Sequence, residues 1–177
     1  MLVTISGLPG SGTSTVAARV ATELGIERLD GGAVFRGLAA ERGVSLAEFG
    51  AVAQQDPGVD LELDVRLAAR ARVGDLVLES RLAGWIATNE ALRAVRVWIA
   101  CDPAERARRV ADRDGLTIAA ALAANAERER SEAARYLAYY GIDIADLSPY
   151  DLVVDSTATS VHALVDQVLA TVGPAGR

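Results

Sequence analysis

Apolar residues occur along this chain in short dense runs, separated by longer stretches in which they recur every three or four positions. Leu2-Val3-Thr4-Ile5-Ser6, Ile26–Leu29, Leu76-Val77-Leu78, Val95–Cys101 and Leu152–Asp155 have the length of strands. Near-continuous apolar runs of this size mark strands covered on both faces. Between them, residues 13–24, 33–42, 45–54, 59–73, 102–113, 117–140 and 160–172 read as helices. In 59–73, for example, Val59, Leu63, Leu67 and Ala71 share one face, with Asp and Arg between them. Ser45 with Glu48 forms a capping box, Asp102-Pro103 puts Pro at a first helical position, and Ser160 or Thr159 caps the last helix. Asp56-Pro57-Gly58 reads as a turn, Ser80–Gly84 as a loop, and the tail from Gly173 to Arg177 as disordered. Strands alternating with helices predict an α/β fold: a central parallel sheet of about five strands with helices on both faces. Ligands gather at the carboxyl ends of such strands, which directs attention to residues 7–14, 30–32, 79–84 and 101–103.

The first of these loops carries a motif. Gly7-Leu8-Pro9-Gly10-Ser11-Gly12-Thr13-Ser14 has the glycine spacing of the phosphate loop G-x-x-x-x-G-K-[ST], between a strand and a helix as that motif requires. Its glycines let several backbone N–H groups turn inward, and the helix start adds partial positive charge, so residues Gly7 to Thr15 form a cradle for a triphosphate. Ser14 stands where a hydroxyl ligates Mg²⁺. The usual Lys is replaced by Thr13.

Composition sharpens the consequence of that replacement. All 18 basic side chains are Arg, so no Lys elsewhere can substitute. Positive charge on a transferring phosphate must come from Arg, Mg²⁺ or backbone amides, and guanidinium grips phosphate with paired hydrogen bonds. At 177 residues and 51% hydrophobic, the chain suits one globular domain. A net charge of −6 argues against a nucleic-acid polymer as main partner. No apolar run is long enough to span a membrane, and no signal peptide is read at the start. Cys101 is the only cysteine, which excludes an internal disulfide and fits a reducing, cytoplasmic setting. We expect Cys101 to be a small buried residue, Trp85 and Trp98 to serve packing, and the lone His162 to be structural.

Charged positions then collect near the expected site. Asp30 and Arg36 flank a helix start, and Glu79 ends a buried strand, as carboxylates that organise Mg²⁺ do. Arg81 follows two residues later. Arg106, Arg109 and Arg113 fall at i, i+3 and i+7 of one helix, and Arg128, Glu132 and Arg135 at i, i+4 and i+7 of the next. A solvated helix with alternating charges has the same spacing. Two such helices flanking a turn at Gly115 could instead fold over a nucleotide as a lid, bringing Arg to developing phosphate charge.

These residues in this order resemble the cytidylate kinases, and especially their short archaeal-type branch. The likeness rests on Gly7–Thr15, Leu29-Asp30-Gly31-Gly32-Ala33-Val34-Phe35-Arg36, Leu78-Glu79-Ser80-Arg81-Leu82-Ala83-Gly84, Arg128 through Asp143, and Leu152–Thr157. It implies the three-layer fold of nucleoside monophosphate kinases, with an acceptor-binding insert at about 31–73 and a lid at about 104–135. It implies transfer of the γ-phosphoryl of ATP to CMP or dCMP with Mg²⁺, by a monomer whose partners are small nucleotides. Asp30, Gly31, Arg36, Arg81, Gly84, Arg128, Glu132 and Arg135 then bind the acceptor; Arg106, Arg109 and Arg113 lie near the donor phosphates, and Ser14 and Glu79 at the metal. Two positions depart from the bacterial branch, Gly31 for Ser and Ser80 for Gly, where base or phosphate approaches. Thr13 for Lys is usual in the archaeal-type branch. Two alternatives stay open: a kinase of similar build for another nucleotide or small metabolite, and a non-catalytic nucleotide-binding protein.

Overall fold

The computed structural model describes residues 1–173, so the tail expected to be disordered lies, but for Gly173, outside the described residues. Five parallel strands stand in the order β2-β3-β1-β4-β5: β1 (Leu2–Gly7), β2 (Glu27–Asp30), β3 (Leu76–Glu79), β4 (Val95–Ala100) and β5 (Leu152–Asp155). Eight helices connect and cover them: α1 (Thr13–Leu24), α2 (Gly31–Glu41), α3 (Leu46–Ala53), α4 (Pro57–Val73), α5 (Ala83–Asn89), α6 (Pro103–Asp114), α7 (Ile118–Tyr140) and α8 (Val161–Val172). None of them is long and apolar enough to cross a membrane.

Strand alternation produces two cores. Val3, Ile5, Val77, Val97 and Ile99 point to one face, where Val16 and Val20 of α1 and Leu164 and Val168 of α8 cover them. Leu2, Leu76 and Leu78 point to the other, under Leu67 of α4, Ile86 of α5 and Tyr136 of α7. A third cluster, Leu38, Phe49, Ala53 and Val59, binds α2, α3 and α4 together outside the sheet. The α6–α7 hairpin has only a small cluster of its own, Ala107, Val110, Ala111 and Ala121.

Most expected elements appear, and the exceptions have local causes. Asp56-Pro57-Gly58 is a helix start and not a separate turn: the Asp56 side chain accepts from the Gly58 N–H at 2.8 Å, and Pro57 opens α4, where its missing N–H costs nothing. Likewise Asp30 caps α2 by accepting from the Ala33 N–H, so the helix begins at Gly31, inside the expected break. The loop expected at Ser80–Gly84 runs into α5 from Ala83. Gly84 hides that helix in the sequence because glycine disfavours helix interiors, but here Tyr150 requires it. A Cβ at Gly84 would lie 2.4 Å from Tyr150 Cε1. Cys101 is half-buried, and His162 is exposed beside Asp166 on α8, where it serves no packing.

Candidate active site

At the carboxyl end of β1 the chain folds into a loop that other segments fix from outside. A Cβ on Gly7 would sit 2.7 Å from the Ile99 carbonyl, and one on Gly10 would sit 2.6 Å from the Arg106 carbonyl, so both positions demand glycine. Gly10 and Gly12 also take positive φ (83° and 91°). Gly12 caps α1 with no side chain, and the N–H groups of Thr13, Ser14 and Thr15 donate to no protein group among the described residues. These three orphan amides at an uncapped helix start, with the helix dipole behind them, constitute an anion site.

Side chains from later in the chain hold this loop. Arg106 is buried. It donates to the Pro9 carbonyl at 3.3 Å and to the Cys101 carbonyl at 3.2 Å, and pairs with Glu129 of α7. Arg109 donates to the Ser11 carbonyl at 3.5 Å and to Ser156 Oγ at 3.1 Å, and its guanidinium lies beside Gly12. Ser156 Oγ, buried after β5, donates in turn to the Ser11 carbonyl at 2.8 Å. A cleft of about 260 Å³ opens next to the loop, lined by Gly12, Thr15, Arg108, Arg109 and Thr159 among others. Arg113, by contrast, is exposed and pairs with its neighbour Asp114. Of the three lid arginines expected from their spacing, two meet the loop and one does not.

Glu79 makes further contacts with the loop. Its Oε1 accepts from Thr13 Oγ1 at 3.0 Å and from Ser14 Oγ. Its Oε2 accepts from Arg28 Nε at 3.1 Å and Nη2 at 2.6 Å. Sheet register explains the arrangement. Asp30 of β2 lies opposite Glu79 of β3, and Arg28 opposite Val77, so all of these side chains project to the α1 face. Arg28 Nη2 also lies 3.5 Å from Asp30 Oδ2, which accepts from exposed Arg36 at 3.4 Å. Arg28 is not among the residues expected from the sequence: it is an ordinary strand residue until sheet register sets it beside Glu79.

Opposite the loop stands a wall of paired charges. Arg81 is half-buried, donating from Nη1 to the Gly7 carbonyl at 2.6 Å and from Nε to Glu132 at 2.8 Å. Glu132 also accepts from Arg128 at 2.7 Å, and Arg128 is 60% exposed at its side chain. Burial works against ionising Glu132, yet Arg81 and Arg128 together hold its carboxyl below the usual carboxylate range. One turn on, Arg135 lies 3.0 Å from Asp60 of α4, an ion pair whose angle falls short of a hydrogen bond. Burial raises the Asp60 carboxyl despite Arg135. The sequence reading missed Asp60 because it sits among the polar positions of an amphipathic helix. Gly31 faces the same end: a Cβ there would lie 3.0 Å from Ser80 Cβ and 3.1 Å from the Glu79 carbonyl. The two departures at Gly31 and Ser80 are therefore adjacent in space, and Ser80 fills room that Gly31 leaves.

The residues fit Mg²⁺. This hard cation takes oxygen ligands, keeps several waters and uses one or two carboxylates with substrate phosphates. Ser14 Oγ and the Glu79 carboxylate, already in contact, supply such a pair. No group of three or more His, Cys, Asp or Glu able to hold a metal comes together among the described residues.

Comparison with known proteins fits this geometry. A family model described as the cytidylate kinase-like family matches residues 2–158. A cytidylate kinase of Halobacterium salinarum is 49% identical over 173 residues, covering 97% of this chain and 89% of the relative. One of Methanococcoides burtonii is 44% identical over 177 residues, covering 99% of each. Among solved structures, a shikimate kinase from Bacteroides thetaiotaomicron superposes with a TM-score of 0.64 at 11% identity, covering 96% of each chain. A gluconokinase from Sinorhizobium meliloti gives 0.63 at 15% identity, covering 98% of this chain and 92% of that one. At such identities the structures show the fold alone; the sequence matches show that the chain belongs to the cytidylate kinase-like family.

Proposed function

We propose that the protein transfers the γ-phosphoryl group of ATP to CMP or dCMP, giving ADP and CDP or dCDP. Arg81 carries this reading: one guanidinium joins the carbonyl that begins the phosphate loop to the carboxylate that holds Arg128, so donor cradle and arginine wall face one another across a single side chain. The relatives' shared name supplies the cytidylate acceptor.

In this reading the triphosphate lies on the amides of Gly12 to Thr15, and its nucleoside in the cleft beside Arg109 and Thr159. Arg36, Arg81, Arg128 and Arg135 bind the acceptor phosphate. An oxygen of that phosphate attacks the γ-phosphorus, and the bond to the β–γ bridging oxygen breaks with its electron pair leaving on ADP. The attacking oxygen is already anionic, so no general base is needed; positioning and charge neutralisation provide the acceleration. Ser14 and Glu79 would hold Mg²⁺, which neutralises charge on the donor phosphates when bound. Thr13, at the usual Lys position, brings no charge of its own, and the arginines take that task. The α6–α7 hairpin acts as the lid, carrying exposed Arg128 inward on closure toward Arg135, which already stands against Asp60, and α2 to α4 form the acceptor-binding insert.

An ADP-release assay with ATP and each nucleoside monophosphate tests the proposal. We expect CMP and dCMP to be turned over best. Turnover of another acceptor in place of cytidylate points to a kinase of different specificity, and no turnover with any acceptor points to a nucleotide-binding protein.

A further inference from the structure

The contacts of Arg28 have no part in the reaction described above, yet they span it. On one side the guanidinium holds Glu79 Oε2 with two nitrogens, while Glu79 Oε1 is taken by the Thr13 and Ser14 hydroxyls. On the other it stands 3.5 Å from Asp30, whose carboxylate is shared with Arg36 and caps the helix that opens the insert. A continuous series of polar and charged groups thus runs from the phosphate loop to the acceptor side: the Thr13 and Ser14 hydroxyls, Glu79, Arg28, Asp30, Arg36. Arg28 is 28% exposed at its side chain, and can shift between two carboxylates less than a side chain's reach apart.

We infer that Arg28 is a positioning residue that couples acceptor binding to cation binding. Without acceptor, Arg28 lies on Glu79 and its positive charge opposes a divalent cation at the same carboxylate. When an acceptor phosphate draws Arg36 away from Asp30, Asp30 is left with one cationic partner within reach, and Arg28 moves toward it. Glu79 then regains charge for the cation. Linkage makes the effect reciprocal: a bound cation turns Arg28 toward Asp30 and frees Arg36 for phosphate.

The inference rests on the reading of Ser14 and Glu79 as cation ligands, and the test separates the two. Mn²⁺ is titrated into the full chain with ADP present, followed by electron paramagnetic resonance, with and without CMP. In the native protein CMP should tighten Mn²⁺ about five-fold, the lower end of ordinary coupling. In Arg28→Leu, Mn²⁺ should bind more tightly than in the native protein before CMP is added, and CMP should then change its affinity less than about two-fold. Arg28→Gln, which keeps donors without charge, should behave as Arg28→Leu and serves if the latter does not fold by circular dichroism. Arg28→Lys should restore part of the CMP effect. An unchanged CMP effect in folded Arg28→Leu or Arg28→Gln overturns the coupling, as does its absence from the native protein. Glu79→Gln is read separately: if Mn²⁺ affinity does not fall there, the cation site itself is misassigned.

Discussion

The phosphate loop and the wall across from it handle charge in opposite ways. The loop offers backbone amides and two glycines at positive φ, with no ionised side chain of its own, and its neighbours pin it through carbonyls: Arg106 on Pro9, Arg109 and Ser156 on Ser11, Arg81 on Gly7. The wall is made of side chains, each guanidinium set against a carboxylate: Arg81 and Arg128 on Glu132, Arg135 on Asp60. A neutral amide facing the cleft needs no counter-charge. Half-buried guanidinium groups such as Arg81 and Arg135 do, because an unpaired ion in low dielectric costs several kcal/mol. A site lacking its loop lysine thus depends on carboxylates that never touch the transferred group.

The largest expected effect follows from removing such a carboxylate. Glu132→Gln takes from half-buried Arg81 the carboxylate it is paired with and should cost about 3 kcal/mol of stability in urea unfolding at pH 7. Because the Glu132 carboxyl is held below its unfolded range, its contribution is present above about pH 4.3 and fades as pH falls through the lowered folded value. The gap between native protein and variant should therefore narrow on acidification; a gap constant down to pH 3 would deny Glu132 this role.

Next come the arginines themselves. Arg128→Ala and Arg135→Ala should each lower kcat by about two orders of magnitude, with folding less affected. Arg128 is largely exposed, and loss of Arg135 leaves Asp60 free to take up a proton, toward which burial already pushes it. A rate within about three-fold of native in either variant would remove that arginine from the transfer step.

The same contrast decides what could be read without coordinates. The loop was legible because its determinants are consecutive: strand, glycines, hydroxyl, helix. Arg128, Glu132 and Arg135 were legible as one helix face because 3.6-residue periodicity is local. What they meet was not. Arg81 reaches Gly7 across 74 positions and Arg106 reaches Pro9 across 97, and no pattern in one stretch announces a carbonyl in another. Spacing grouped Arg113 with Arg106 and Arg109, but the helix end turns it to solvent. Arg28 and Asp60 were missed for the same reason, since each is ordinary in its own element and gains meaning only from strand register or helix packing.

Farther along the wall the pairing of charges stops. Asp64 lies one turn beyond Asp60 on α4, in a cleft with Trp85 and Tyr140, and has no guanidinium partner among the described residues. Burial pushes its carboxyl up to about 6, opposed by the Tyr140 hydroxyl and helped by the charge of Asp60. A folded value above the unfolded one near 3.9 means that the folded state prefers the protonated form, and stability falls as pH rises from about 4 through 6. Asp64→Asn should then be more stable than the native protein at pH 7.5, by up to about 3 kcal/mol, and close to it near pH 4. Equal stabilities at both pH values would show that the carboxylate is solvated.

The smallest effect is expected where side chains only support the loop. Ser156→Ala deletes the hydroxyl that donates to the Ser11 carbonyl at 2.8 Å and accepts from Arg109 at 3.1 Å. Arg109 can still reach both carbonyls, Ser11 at 3.5 Å and residue 156 at 2.6 Å, so the loop keeps a donor at each end. The loss should be about 1 kcal/mol, the net worth of one hydrogen bond, with kcat changed less than about three-fold. If the Ser156 hydroxyl instead proved as costly to remove as Glu132, the loop would owe its shape to side chains after all, and the contrast with the wall would fail.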